Sequence, residues 1–241
     1  MYLGSGTNDT LQKVLLARLS TDSKFTEVTI WEPVEINAQL LSTKFMLKDH
    51  ISVHREQATS QPMTIDHNLN FYTNITLNLL NALVNSVQVP PEDDFWKLYI
   101  SYDSILRAGD AAGIQRALGS AFYASCWLSK EHQEWFMTLE NLAQSYLDES
   151  YRFLPVTKQW YGEKNGELVR KKEEIVGSPE DATCYEASEA DRTQMGFIWF
   201  DNMTTYLGHL GGIRQRIQTM MIEQLNDTYQ VSRPQVISSR V

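Results

Sequence analysis

One arginine, Arg116, lies within a helical stretch of unusually small residues, RAGDAAGIQRALGSAF at residues 107–122. Glycine inside a helix is disfavoured by about 1 kcal/mol relative to alanine, so three glycines in one helix require an explanation. We predict that Gly109, Gly113 and Gly119 allow close packing, either of another backbone or of a small ligand. Arg116 lies one turn from Gly113 and one turn from Gly119 on the same face.

The sequence leaves the partner of Arg116 open. A guanidinium that points into a helix interface must be paired with an acid or with an anion. The simpler alternative is an ion pair within the chain, with Asp103, Asp110 or an acid from another helix. The other alternative is a small anion bound between helices.

No recognisable catalytic motif is present: there is no G-x-S-x-G, no phosphate-binding G-x-x-x-x-G-K-[ST], no H-E-x-x-H and no G-x-G-x-x-G. We therefore expect neither an enzyme nor a cofactor. His50 and His54 have the i,i+4 spacing of two zinc ligands, and His67 could supply a third. Because nothing else supports a metal site, we expect solvated or locally hydrogen-bonded histidines and no metal.

The charge and the motifs of the chain exclude several kinds of partner. A net charge of −9 without a basic run argues against nucleic acid. No apolar run is long enough to span a membrane. The start of the chain, MYLGSGTNDT, has neither the basic region nor the apolar run of a signal peptide. Four glycosylation acceptors, at Asn8, Asn74, Asn202 and Asn226, favour an extracellular location. We expect Cys126 and Cys184 to be unpaired buried thiols, with a disulfide between them as the alternative if the domain is extracellular.

Apolar residues recur at helical spacing, and no convincing strand alternation is seen, so the sequence predicts an all-α protein built as an antiparallel bundle. The predicted helices cover about residues 9–31, 34–57, 65–87, 91–126, 129–153, 157–175 and 189–229.

The last predicted helix carries an apolar seam with steps of three and four, which is typical of antiparallel or coiled-coil packing. The seam consists of Met203, Tyr206, Leu210, Ile213, Ile217 and Met220. One hypothesis is that it joins two chains in a structural dimerisation bundle that binds no small molecule.

Several short pieces of the chain, in their order and spacing, resemble the nitrate- and nitrite-sensing (NIT) domain. The central piece is LRAGDAAGIQRALGSAF, in which an A-G-x-x-R-A-x-G helix precedes the L-S-x-E start of the next helix. The other pieces are YLGSG at residues 2–6, Thr21-Asp22, His54-Arg55, Phe71-Tyr72-Thr73 and Trp199-Phe200. The resemblance spans almost the whole chain.

The resemblance implies two up-and-down four-helix modules that share long helices. It implies one sensor domain over residues 1–231, followed by a disordered tail or linker at 232–241. Such domains are the sensor regions of bacterial receptors and of animal membrane guanylate cyclases, and the His-Arg pair and the glycosylation acceptors resemble the animal branch. The implied function is binding of nitrate or nitrite between helices on the extracellular side of a homodimeric receptor, with signalling by helix rearrangement.

The family resemblance assigns the anion to arginines. Arg116 matches the arginine of the A-G-x-x-R-A pattern and is the first choice, because a planar, permanently charged guanidinium suits a planar oxyanion. Arg55, in the His-Arg pair, is second, and Arg214 and Arg216 on the last helix are weaker candidates. The family also has an E-R-G segment before YLGSG, whose arginine the resemblance likewise assigns to the anion site. This sequence lacks the segment, so either the first helix is truncated or the domain has lost part of its site.

Overall fold

Helices dominate the chain because apolar residues recur at helical spacing along most of its length. The computed structural model describes residues 19, 22, 23, 25, 27, 28, 31, 33–36, 39–61, 63–86, 94–162, 166–177 and 184–238. Its elements are β1 (Val34–Ile36), β2 (Gln39–Leu41), α1 (Lys44–Ser60), α2 (Ile65–Ser86), α3 (Asp94–Ser125), α4 (Lys130–Phe153), α5 (Val156–Tyr161), α6 (Gly166–Val176) and α7 (Glu189–Ser238). The all-α class is confirmed.

The chain divides into two units, Met1–Ser86 and Val87–Val241. Each described helix lies within one unit, so the predicted sharing of long helices is not seen among these residues. In the first unit, α1 begins after Thr43, whose Oγ1 accepts a hydrogen bond of 3.3 Å from the backbone of Met46. The core of this unit consists of Val34, Ile36, Leu41, Leu47, Ile51 and Ile75.

A short hairpin corrects the start of the predicted helix over residues 34–57. Strands β1 and β2 pair antiparallel, with Val34 opposite Leu41. Val34 and Ile36 are buried while Glu35 between them is exposed, which is the period of two that a strand requires. Three residues are too few for this alternation to be distinguished from helical spacing in the sequence, and the core contacts decide the conformation.

The second unit is built on α3, which packs against α4 and α7. Its core combines residues from these three helices: Leu98, Ile105, Ala108, Leu147, Leu210, Ile213 and Ile217. The predicted cap at Ser129 is observed, since its side chain accepts a hydrogen bond from the backbone of His132 at the start of α4. Ser104 of α3 bonds to Glu149 and Gln115 to Glu140, so α3 and α4 run antiparallel.

The apolar seam of the last helix is part of this core. Met203, Leu210, Ile213 and Ile217 are at most 2% exposed. Because these side chains are buried within their own unit, they are not free to join two chains. The hypothesis of a dimer through this seam is therefore wrong.

Three helix boundaries differ from the prediction. The helix predicted over residues 157–175 is two helices, α5 and α6, because Gly162 takes a φ of 67° that ends α5. Helix α7 continues to Ser238, past the predicted end near residue 229, and no break marks the proposed boundary between 231 and 232. The helix predicted over residues 9–31 lies mostly outside the described residues, among which 19, 22, 23, 25 and 27 are helical.

A disulfide, not the expected pair of free thiols, joins Cys126, at the end of α3, to Cys184, before the start of α7. Cys126 has a φ of 53°, the left-handed conformation that commonly ends a helix. Both cysteines are buried, so the bond lies inside the second unit. No helix within the described ranges is long and apolar enough to cross a membrane.

Candidate functional site

Helices α3 and α7 are in tight contact at Gly119. A Cβ atom on Gly119 would overlap the indole ring of Trp199, which is fully buried. The Nε1 of Trp199 donates a hydrogen bond of 2.9 Å to the backbone carbonyl of Arg116. The missing side chain of Gly119 thus makes room for a tryptophan that joins the two helices, which is the close packing predicted for this glycine.

The other two glycines of the stretch do not have this role. A Cβ atom on Gly109 or on Gly113 would meet no described atom within 4 Å. Among the described residues no neighbouring helix packs against either glycine, so close packing of another backbone is not observed there, and close approach of a small ligand stays a prediction. Gly113 instead leaves open space one turn before Arg116.

Arg116 reaches from α3 to α7. Its Nη1 donates a hydrogen bond of 3.0 Å to Oγ1 of Thr204, and its Cζ lies 4.6 Å from the centre of the Phe200 ring. Phe200 and Thr204 are four residues apart on α7, so both face the same side of that helix. The guanidinium is therefore held by a neutral hydroxyl and an aromatic ring.

No described carboxylate forms an ion pair with Arg116. Asp103, one of its predicted partners, instead accepts a hydrogen bond of 2.7 Å from Arg107. Asp110 forms no described hydrogen bond, and burial raises the pKa of its carboxyl group. Partial burial lowers the pKa of the Arg116 guanidinium, yet arginine stays charged at neutral pH. Arg116 thus carries a half-buried positive charge with no described counter-charge, and the predicted ion pair within the chain is not found.

The other candidate arginines differ from Arg116. Arg55 of α1 donates from Nη1 to Oδ1 of Asp22 at 2.9 Å, so its charge is neutralised within the first unit. Arg214 is exposed on α7, and the equally exposed Arg216 has its Cζ 5.4 Å from the centre of the Trp160 ring. At the helical rise per residue, Arg214 lies roughly 15 Å along the axis from Thr204. The structure does not bring Arg214 and Arg216 to Arg116.

The histidines form a stack of rings. His54 lies face to face with Phe71, with ring centres 3.6 Å apart and planes inclined by 3°, and its ring is also stacked on His67 at 5.5 Å. The Nε2 of His54 is 3.0 Å from Oδ1 of Asn68. Stacked rings do not direct their nitrogen atoms to a common point, and the described residues contain no group of three metal-ligating side chains.

A small cavity of about 30 Å³ lies between α4, α5, α6 and α7. Glu140 and Lys172 line it and form an ion pair with each other, and Tyr161 and Tyr206 line it as well. Its volume suits one or two water molecules. Because the carboxylate of Glu140 disfavours an anion and Lys172 is already paired, Arg116 is the better candidate for an anion contact.

Three of the four predicted glycosylation acceptors are described, and all three lie within helices; Asn8 is outside the described residues. Asn74 of α2 is partly buried, and its Oδ1 accepts a hydrogen bond of 2.5 Å from Asn78. The Nδ2 of Asn202, the atom that would carry the glycan, is buried without a hydrogen-bond partner. Asn226 has an exposed side chain. Asn226 is thus the most accessible of the three acceptors.

Sequence reasoning missed the residues of α7 that surround Arg116. In the sequence, Trp199 and Phe200 are singled out only as a pair that resembles the start of the family's last helix. Thr204 is singled out only as the third residue of a glycosylation acceptor. The sequence does show that Trp199 and Met203, and likewise Phe200 and Thr204, have i,i+4 spacing, which places each pair on one face of the helix. The sequence does not say which partner helix these pairs face.

The family model described as nitrate and nitrite sensing (NIT) matches residues 1–222. No curated protein and no solved structure shows significant similarity to the chain.

Proposed function

The chain belongs to the nitrate- and nitrite-sensing family, and from this premise we propose that Arg116 on α3 holds a small oxyanion, nitrate or nitrite, beside α7. The observation that carries the proposal is the half-buried guanidinium of Arg116 without a described carboxylate partner. A buried charge without a partner is costly, and an anion would remove that cost.

The chemistry of the site suits a small planar anion with a single negative charge. A guanidinium carries five N–H donors in one plane. In Arg116, Nη1 donates to Thr204. The N–H groups of the other two nitrogens remain to donate to oxygen atoms of a ligand. One guanidinium balances one negative charge, so a divalent, strongly hydrated anion would enter only at a larger desolvation cost. Gly113, where a Cβ atom would meet no described atom within 4 Å, lies one turn before Arg116 on the same helix.

Signalling follows from the position of Arg116 between two helices. Its side chain bonds to Thr204 of α7 while its carbonyl accepts from Trp199 of the same helix. An anion that competes for the guanidinium alters the contacts by which α3 holds α7, and helix shifts of this kind are a recognised form of switching. Helix α7 runs to Ser238 and could transmit the change to a following segment.

The receptor context is part of the proposal. We place residues 1–231 as one sensor domain on the extracellular side of a homodimeric membrane receptor, of the guanylate cyclase type, whose catalytic activity lies outside this chain. The disulfide between Cys126 and Cys184 and the exposed acceptor Asn226 support an oxidising, extracytoplasmic compartment.

Thermal unfolding in nitrate tests the proposal, with chloride at the same ionic strength as the control. A ligand that binds only the folded chain stabilises it by about 1.4 kcal/mol at ten times its Kd, which raises Tm by roughly 3–6 °C for a chain of this size. Arg116→Gln should abolish the nitrate-specific rise and keep the fold. A rise in Tm of equal size in Arg116→Gln would refute Arg116 as the anion contact.

A further inference from the structure

The hydroxyl group of Thr204 makes two hydrogen bonds with fixed roles. It donates to the backbone carbonyl of Phe200, one turn earlier on α7, at 2.7 Å. Its oxygen accepts from Nη1 of Arg116 at 3.0 Å. Since its single proton is already donated, this hydroxyl can accept from the guanidinium but has no proton left to donate to an anion.

We propose that Thr204 is the positioning residue of the anion site: it orients the guanidinium of Arg116 through a neutral acceptor and thereby leaves the positive charge available to the ligand. This inference rests on the proposed function. A carboxylate at this place would also orient the guanidinium, but it would neutralise the charge that attracts the anion. A side chain without an acceptor would leave the charge intact and the guanidinium free to rotate.

One further contact and one feature of the sequence support this role. The Phe200 ring, 4.6 Å from Cζ of Arg116, contacts the guanidinium next to the Thr204 bond, so two residues one turn apart hold one arginine. Thr204 is also the third residue of the glycosylation acceptor Asn202-Met203-Thr204. Because Nδ2 of Asn202 is buried, the hydrogen bond to Arg116 explains this threonine better than a glycan does.

The experiment measures the Kd for nitrate from the nitrate-dependent Tm of four chains, with chloride at matched ionic strength as the control. The chains are the unaltered protein, Thr204→Ser, Thr204→Val and Thr204→Asp, all produced in a host without N-glycosylation because two of the changes remove the acceptor motif. Thr204 is exposed, so each variant should fold. Arg116→Gln is measured alongside them.

The serine variant keeps the acceptor and should bind nitrate like the unaltered protein. The valine variant keeps the shape but lacks the acceptor, so we expect its Kd to rise about fivefold, the value of one lost hydrogen bond. The aspartate variant should raise Tm without nitrate and abolish the further rise with nitrate. A purely structural role for Thr204 would change the nitrate-free Tm of the valine variant and leave its Kd unaltered.

Two results would overturn the inference, and they are distinguishable. If Arg116→Gln loses the nitrate response but Thr204→Val keeps the Kd of the unaltered protein, Thr204 is not a positioning residue and the proposed function stands. If Arg116→Gln responds to nitrate like the unaltered protein, the anion contact at Arg116 is refuted and the inference falls with it.

Discussion

Replacing Gly119 with alanine should destabilise the second unit, because the new methyl group would overlap the buried indole of Trp199. Overpacking of a core typically costs about 1–3 kcal/mol. A displaced indole would also lose its hydrogen bond to the Arg116 carbonyl, at about 1 kcal/mol. Alanine regains about 1 kcal/mol of helix propensity, so the net loss should be roughly 1–3 kcal/mol.

Gly109→Ala is the matched control, since it makes the same change in the same helix. A methyl group there meets no described atom within 4 Å, so only the propensity gain of about 1 kcal/mol remains. The two variants should therefore differ by roughly 2–4 kcal/mol in the free energy of unfolding, with Gly109→Ala the more stable.

Urea unfolding followed by circular dichroism at 222 nm measures this difference, provided that the slope of the transition is the same in both variants. The reasoning would be refuted if Gly119→Ala were as stable as Gly109→Ala. In that case the small residue at position 119 would not be required for the contact between α3 and α7.

Two further predictions concern a histidine and a glycosylation acceptor. Burial lowers the pKa of His54. Below about pH 6.5, His54 is therefore protonated more fully in the unfolded chain than in the folded chain. Because the unfolded chain then binds more protons, the free energy of unfolding should fall as the pH decreases. Tm should drop less between pH 7.5 and 5.5 in His54→Gln than in the unaltered protein, whereas equal drops would rule out this contribution. After expression in a secretory host, mass spectrometry should find a glycan on the exposed Asn226 and none on Asn202, whose Nδ2 is buried; occupancy of Asn202 would contradict the described packing.

The bounds of α2, α3 and α4 could be predicted to within a few residues because local chemistry determines them. Ser129 caps α4 through its own side chain, and an acidic residue in the first turn follows it. The hairpin at residues 34–41 could not be predicted in the same way. Its strands are three residues long, and their conformation depends on burial of Val34, Ile36 and Leu41 in a core that forms from distant residues.

The site itself was only partly predictable. The small residues and Arg116 stand out in the sequence, but only the packing distinguishes Gly119, which contacts Trp199, from Gly109 and Gly113, which meet open space. Likewise, the sequence alone leaves several carboxylates as candidate partners of Arg116. Asp103 lies roughly 20 Å from it along α3 and pairs with Arg107 instead. The choice among nearby partners depends on side-chain direction and on the positions of α4 and α7, which residue spacing does not contain.

The central claim is that the Arg116 guanidinium binds nitrate, and the NMR signal of its side-chain Nε–H reports on this directly. The signal is assigned as the arginine resonance that disappears in Arg116→Lys, and nitrate is then titrated at constant ionic strength against chloride. The account predicts a saturable shift of this resonance with nitrate and none with chloride. A resonance that stays in place while nitrate raises Tm would contradict it, because the anion would then bind elsewhere in the chain.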